Sequence, residues 1–504
     1  MKFNPVTHFQ KSFVWLVILL LAILSRFLLL TNKPIHFDES INGWFVMNMK
    51  SVGFYKYDPN NYHGPLYFYL LQFFEFLWGR SVETLRTLPA VFSVFSVMIF
   101  GFGIIRSKIV RYVMMFLLLV SPAFLFYGRS GIHEMPFVFF QLVFALGILR
   151  WLEELDAEAL ACVLVGLVGM MTLKETFVLN LASWFVGLLF LGWGEIQRVF
   201  KLQNFKKAWS GRLTYLTGIL LVVFVALFTG FFQNWIGLVD FVRAFLPWMK
   251  TGVGETGHNK EFLYWSKVLW EAEPLVLLGL ALSMVGLFVR EPRLRMMSAF
   301  SLTQFLIYSL IPYKTVWCVL SLVWGFYFVL AMFVEKIWTE ALWKKAALAV
   351  LALAGLVVGG KSAWLAVYRV PIFMDHPYVY VNSTYELKDL QATFEKVFSA
   401  HPELKKEPFQ IGMKEQWPWP WYLRQLDDAR WDLCGRSVVA NALVYLCDTQ
   451  DQALVEEHMK EPYMKVQIQL RQSRDSSLVY LRKNVFDGVY SGQYEVVGPE
   501  QEKK

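Results

Sequence analysis

The residues able to do chemistry sit in a few short polar segments between long apolar runs. His36-Phe37-Asp38-Glu39-Ser40 directly follows the first such run. Its adjacent carboxylates have two readings. One is a helix start, with Asp38 as cap of the stretch INGWFVMNMK and Glu39 favouring its dipole. The other is a general base or a metal ligand, with His36 beside it. Tyr62-His63-Gly64-Pro65 reads as a turn that opens an apolar segment. The segment 127–136 squeezes Arg129, His133 and Glu134 between two apolar runs. There Glu134 suits a helix N-terminus, and Arg129 is placed to snorkel to lipid headgroups. Lys174-Glu175 joins two further runs, and so does Lys314 in Ile311-Pro312-Tyr313-Lys314-Thr315. Ionisable residues so placed are costly and are functional candidates by default. As compact cations, Lys174 and Lys314 suit the phosphate of a lipid-linked substrate; the plainer reading is that each is an interfacial anchor.

The elements that must position these residues are membrane helices. Of 504 residues, 56% are hydrophobic and only 17% charged, against about 25% charged in ordinary soluble domains. The net charge of +8 does not point to nucleic acid, because the Lys and Arg residues lie in short loops where they fix orientation in a bilayer. Apolar runs near 12–31, 86–106, 110–127, 134–152, 158–173, 176–193, 213–235, 273–290, 297–312, 316–334 and 345–368 predict about eleven spans. The first is read as a retained span, since no small-residue cleavage site follows it. Lys2 and Lys11 place the N-terminus inside, and four of the five resulting inner loops are basic. Segment 64–78 is laid on the outer interface, because making it a span would turn the basic loops outward. The polar segments then gather on the outer face. The expected division is a transmembrane domain over 1–370, with a first outer loop at 32–85, and an extracytoplasmic domain over 371–504.

The tail after residue 370 reads as a small α/β domain, with strands at 378–381, 437–447, 464–469 and 478–482 and helices at 386–400 and 450–460. Residues 499–504 are expected to be disordered. Cys162 and Cys318 lie in apolar runs as packing residues. Cys434 and Cys447 in the tail suit either a disulfide or a pair of free thiols. The stretch Trp417–Arg424 sets three Trp, two Pro and a Tyr in eight residues. It reads as a rigid aromatic lid, or as a sugar-stacking surface with Arg424 near the acceptor or the phosphate.

In their order, these motifs resemble the GT-C superfamily of membrane glycosyltransferases, which includes protein O-mannosyltransferases and the aminoarabinose transferases of lipid A. The carriers are His36–Ser40, His63-Gly64-Pro65, Arg86-Thr87-Leu88-Pro89 and Arg129…Glu134. With 57–65, Leu173-Lys174-Glu175, 309–315 and Trp417–Arg424, they look most like the flippase-activity-associated GT-C-like family of archaea and bacteria, over about residues 34–425. The resemblance implies an all-α polytopic membrane domain with a small α/β soluble domain, in the cytoplasmic (inner) membrane. It implies a sugar moved from a polyprenyl-phosphate donor to a protein, glycan or lipid acceptor outside the cytoplasm. Asp38, as catalytic base or to align the acceptor, with Glu39 beside it, and Glu134 would be the catalytic carboxylates. Arg129, Lys174 and Lys314 would hold the carrier phosphate, with His63 and Arg424 also at the substrate. No cofactor is certain, but some members bind a divalent metal, for which His36, Glu39 and His63 are the candidates. Gly64 stands where the aminoarabinose-type pattern has Pro, and Glu134 where Asp is commoner. The competing readings are a lipid-linked sugar flippase or transporter and its non-catalytic accessory. Against transport, the span centres are almost free of charge.

Overall fold

The computed structural model describes residues 13–254, 258–338, 341–369, 376–471 and 476–499. Lys2, Lys11, the expected domain boundary at 370 and the tail from 500 lie outside the described residues. The chain divides into two compact units. The first comprises Met1–Leu30, Val46–Pro371 and Asp375–Tyr378, and the second Thr31–Phe45, Ile372–Met374 and Val379–Lys504. The segment bearing Asp38 therefore groups with the C-terminal unit.

In the first unit every expected apolar run carries a helix. These are Phe13–Phe27, Val82–Met98, Lys108–Val120 with Pro122–Tyr127, Glu134–Glu154, Ala157–Met171, Phe177–Leu189, Gly211–Phe228, Pro274–Gly286, Pro292–Leu310, Val319–Trp338 and Leu342–Trp364. Local chemistry sets their ends. Ser81, Ser107, Asp156 and Ser210 accept the orphan N–H groups of Thr84, Val110, Ala159 and Leu213. Pro122, Pro274 and Pro292 sit in first turns, where no N–H is needed. Among the described residues, five helices are long and apolar enough to cross a bilayer by themselves, or six if Phe177–Leu189 and Trp193–Ala208, bent by 116°, count as one. That is fewer than the eleven spans expected. Polar and Pro or Gly residues cut the runs short: Ser121-Pro122 divides one, and Gly192, at a φ of 88°, turns another. Segment 64–78 forms the helix Leu66–Trp78, with Phe73, Phe76 and Trp78 exposed.

Val316–Trp338 is the central helix, 89% buried over its apolar window, while Gly211–Phe228 is peripheral at 22%. Helices Glu134–Glu154 and Ala157–Met171 pack as a hairpin. A Cβ on Gly166 would lie 2.6 Å from the Phe144 nitrogen, so only glycine lets these backbones approach so closely. Several buried polar groups pair with one another. Gln141 donates to Ser321 Oγ and accepts from Trp324 Nε1. The buried Glu273 carboxylate accepts from Ala123 N, Ser121 Oγ, Tyr378 OH and Tyr327 OH.

The second unit is built on a mixed sheet. Its strands are β1 (Phe409–Gly412), β2 (Ala429–Arg430), β3 (Val444–Asp448), β4 (Tyr463–Gln469), β5 (Ser476–Arg482) and β6 (Glu495–Val497), in the order β2-β1-β3-β5-β4-β6. β1 runs parallel to β2 and β3, and the other pairs are antiparallel. Helix Tyr385–Ala400 is capped by Thr384 and buries Leu387, Leu390, Phe394 and Val397, four positions at helical spacing. The expected strand at 378–381 does not form, because Val381 turns the chain at a φ of 44°. Of 437–447 only the part from Val444 is strand, and the four-residue β1 lay below what periodicity can register. Cys434 and Cys447 are joined, with Cα atoms 5.8 Å apart. Alkylation of the denatured, unreduced protein will therefore label Cys162 and Cys318 alone, with four sites labelled only after reduction. Four sites without reductant would contradict the pairing.

Candidate functional site

The chemistry-bearing residues fall into two groups, one in each unit. In the helical unit a cavity of about 490 Å³ is lined by His63, Lys174, Glu175 and Lys314, three of them substrate-site candidates from sequence. Its wall is aromatic, with Trp248, Trp265, Tyr308, Tyr313 and Trp317. Backbone pairing between loops builds it. Gly64 N donates to Leu173 O and Leu66 N to Thr172 O, both at 3.0 Å. A Cβ on Gly64 would lie 2.2 Å from Thr172 O. Proline there would lack the N–H as well as collide, so the glycine in place of the pattern's Pro has a physical cause. On the other side Lys314 N donates to His258 O and Lys260 N to Pro312 O.

Each cation in this cavity has a different electrostatic setting. Lys174 is buried and ion-paired with Glu134, the first residue of its helix, with Cys318 Sγ 3.9 Å away. Burial alone would lower the Lys174 ammonium, but Cys318, Glu134 and Glu175 outweigh it and hold the pKa well above its ordinary value. Lys314, only 2% exposed, donates to Ile311 O at 2.5 Å and Lys260 O at 3.2 Å. Among the described residues no carboxylate pairs with it, and burial pushes its pKa down. His63 is held by the buried Glu175, with Nδ1 3.2 Å from Oε2. Behind it lies His133, ring centroids 4.8 Å apart. Burial, then His63 and Lys174, push His133 well below its ordinary value, so it stays neutral.

In the second unit the segment from Thr31 carries the carboxylate pair on helix Phe37–Val52. The two acids are not equivalent. Glu39 is fully buried, and its Oε2 accepts the His36 N–H at 2.7 Å. That is the back-bonding half of a capping box. Asp38 is half-buried. His36 Nε2 donates to Tyr380 O at 2.6 Å, and Nδ1 accepts from Asp38 N at 3.1 Å. With one ring nitrogen carrying the proton and the other's lone pair in use, His36 does not fit a metal ion. Glu39 is committed to the cap, and His63 to Glu175. Among the described residues no group of three or more His, Cys, Asp or Glu side chains is arranged to hold one.

Two other candidates are engaged with the protein itself. Arg129 donates to Ser25 O, Arg26 O and Leu29 O and lies over the Tyr368 ring at 5.2 Å. It thereby satisfies carbonyls at the C-terminal end of helix Phe13–Phe27. Arg424 lies 4.4 Å over the Trp421 ring and donates to Trp421 O. Sequence reasoning noted Glu175 and His133 without giving either a role, and passed over the cavity tryptophans. The adjacency Lys174-Glu175 was a signal for the first; Trp248 and Trp265 look like any apolar residue. A larger cavity of about 660 Å³, between Leu19, Phe95, Phe139 and Cys162, is almost wholly apolar. It suits hydrocarbon; Arg150 and Glu158, 3.6 Å apart as an ion pair, also line it.

Replacing Lys174 with Met will leave Glu134 buried without its partner and cost about 3–5 kcal/mol, read as a lower melting temperature in detergent. Lys174→Met with Glu134→Gln should recover most of that loss. Equal destabilisation by the single and double variants would show that the pair is not the cause.

No family model and no curated protein matches the chain. Among solved structures, ArnT from Cupriavidus metallidurans bound to undecaprenyl phosphate aligns over 96% of this chain and 100% of its own, with a TM-score of 0.59 and 12% identity. The apo state of the same protein aligns over 97% and 100%, with a TM-score of 0.58 and 12% identity. What is shared at that identity is the architecture: this chain has the fold of the ArnT structures over nearly its whole length.

Proposed function

We propose that this protein is a GT-C-type glycosyltransferase that moves a sugar from a polyprenyl-phosphate carrier to a glycan, protein or lipid acceptor at the outer face of the inner membrane. The observation that carries the reading is Lys314. It is a buried ammonium without a carboxylate partner among the described residues, on an aromatic-walled cavity that also holds Lys174 and His63. Such a cation favours an arriving phosphate. The ArnT-like fold supports the carrier class, since one neighbour was solved with undecaprenyl phosphate. The Cys434–Cys447 pairing and the basic loops support an extracytoplasmic C-terminal unit.

In this reading the acceptor hydroxyl or amide attacks the anomeric carbon. The bond from that carbon to the phosphate oxygen breaks, and the carrier phosphate keeps the electron pair. The acceptor proton passes to Asp38. Asp38 is preferred over Glu39 because Glu39 is spent on the helix cap. Negative charge grows on the phosphate, where Lys314 and Lys174 stabilise it most in a partly dry cavity. Glu134 holds Lys174 ready, and Glu175 orients His63. The cavity tryptophans and tyrosines offer faces to a sugar ring.

The test is mass spectrometry of lipid extracts and surface glycans from wild-type, deletion, Asp38→Asn and Lys314→Gln cells. A polyprenyl-phosphate sugar should accumulate in all three mutants while one glycan loses a sugar. The Asp38→Asn rate should fall about 10²–10⁴-fold. A deletion defect with wild-type lipids in Asp38→Asn cells would overturn the assignment and favour lipid-linked sugar transport.

A further inference from the structure

The Trp-rich segment Trp417–Arg424 has no role in the transfer as derived so far, yet its aromatic side chains are placed with unusual economy. Trp419 points into the core of the second unit, fully buried against Phe394. Trp421 is also fully buried, and lies under Gly43: a Cβ there would sit 2.5 Å from ring atoms Cε3 and Cζ3. Trp417 meets Trp44 edge-on at 6.1 Å and Phe37 at 6.3 Å. Arg471 lies over the Phe37 ring at 4.4 Å and is paired at 2.6 Å with Glu415, two residues before Trp417. All these residues belong to the second unit.

We propose that Trp417 and Trp421 form a seat for the first turns of helix Phe37–Val52 and so position Asp38 for the transfer. The inference rests on the proposed role of Asp38. At about 100° per residue, Phe37 and Trp44 lie about 20° apart and Gly43 about 100° beyond Trp44, so the tryptophans hold an arc of about 120° of the helix. Asp38 falls outside that arc, about 100° from Phe37 and about 140° from Gly43. The clamp thus fixes the rotation of the helix about its own axis while leaving the Asp38 face outside the clamp. The helix start is fixed too, through Glu39 on His36 N and His36 on Tyr380 O. Arg424 belongs to the seat: its guanidinium stacks on Trp421 and bonds that residue's carbonyl. The segment reads as a backing plate, which accounts for its aromatic content without a sugar lying on it. Trp417 and Trp421 are positioning residues, acting through Asp38.

The experiment compares full-length wild-type, Gly43→Ala, Gly43→Ala with Trp421→Leu, Trp417→Leu and Asp38→Asn proteins in nanodiscs. The donor is the lipid-linked sugar fraction extracted from deletion membranes, and sugar transfer to membrane acceptor is measured against donor concentration. Gly43→Ala should lower kcat roughly 10- to 100-fold with KM for the donor almost unchanged. The double variant relieves the clash but removes one ring of the seat, so its kcat should also stay below wild type with KM almost unchanged. Trp417→Leu adds no bulk to the helix, keeps the test alive if Gly43→Ala does not fold, and should also lower kcat rather than raise KM. Wild-type kcat in folded Gly43→Ala and Trp417→Leu proteins, with Asp38→Asn inactive, overturns the seat and leaves the transferase reading standing. Wild-type kcat in Asp38→Asn overturns the catalytic role of Asp38 and the seat together.

Discussion

Hydrocarbon offers no hydrogen-bonding partner, so a charge buried within the helical unit must find one inside the protein. The buried charges obey this in two ways. Glu273 collects four donors from three parts of the chain. Arg26 spreads its guanidinium over Ser93 Oγ, Leu118 O and Leu119 O, and Arg129 covers the carbonyls that close helix Phe13–Phe27. Both arginines sit at carbonyl ends of helices, where backbone dipoles favour a cation. They fix how helices meet without needing an acidic partner.

Against that background the cavity lysines differ in kind. Lys174 is already neutralised by Glu134, so its charge is held in place. Lys314 rests on two carbonyls, which supply partial charge only. Carbonyl oxygens can hold an ammonium, yet they cancel little of its field, so among the described residues the proposed phosphate meets Lys314 without a carboxylate and Lys174 with one. The carboxylates divide their labour likewise: Glu39 closes a helix start, Glu175 holds His63, and Asp38 lies on the half-buried side of its helix.

Much of this was legible in the sequence because it is local. A helix start near His36–Ser40 was legible, but the expected cap, Asp38, lies inside the first turn of helix Phe37–Val52, and it is Glu39 that bonds back to His36 N. Helix Tyr385–Ala400 and strands β4 and β5 follow from periodicity. Gly64 was noticed as a departure, but its cause, contact with Thr172, was not visible, since nothing in the turn announces a neighbour over a hundred residues away. Arg129 had the composition of a phosphate ligand; only packing shows that it is taken up by the end of the first helix. The expected strand at 378–381 failed because a single left-handed residue outweighs a favourable composition.

By itself the sequence determined where the helices run, which short segments hold the ionisable groups and that a small α/β unit follows. These depend on neighbours within a turn or two, where spacing and caps suffice. Tertiary structure decided that Lys174 meets Glu134, that Cys434 meets Cys447, that Thr31–Phe45 belongs to the C-terminal unit and that Trp421 lies under Gly43. Periodicity says which face of an element is apolar or polar. It does not say which distant face will cover it, because that choice is made by shape and charge complementarity when the elements pack.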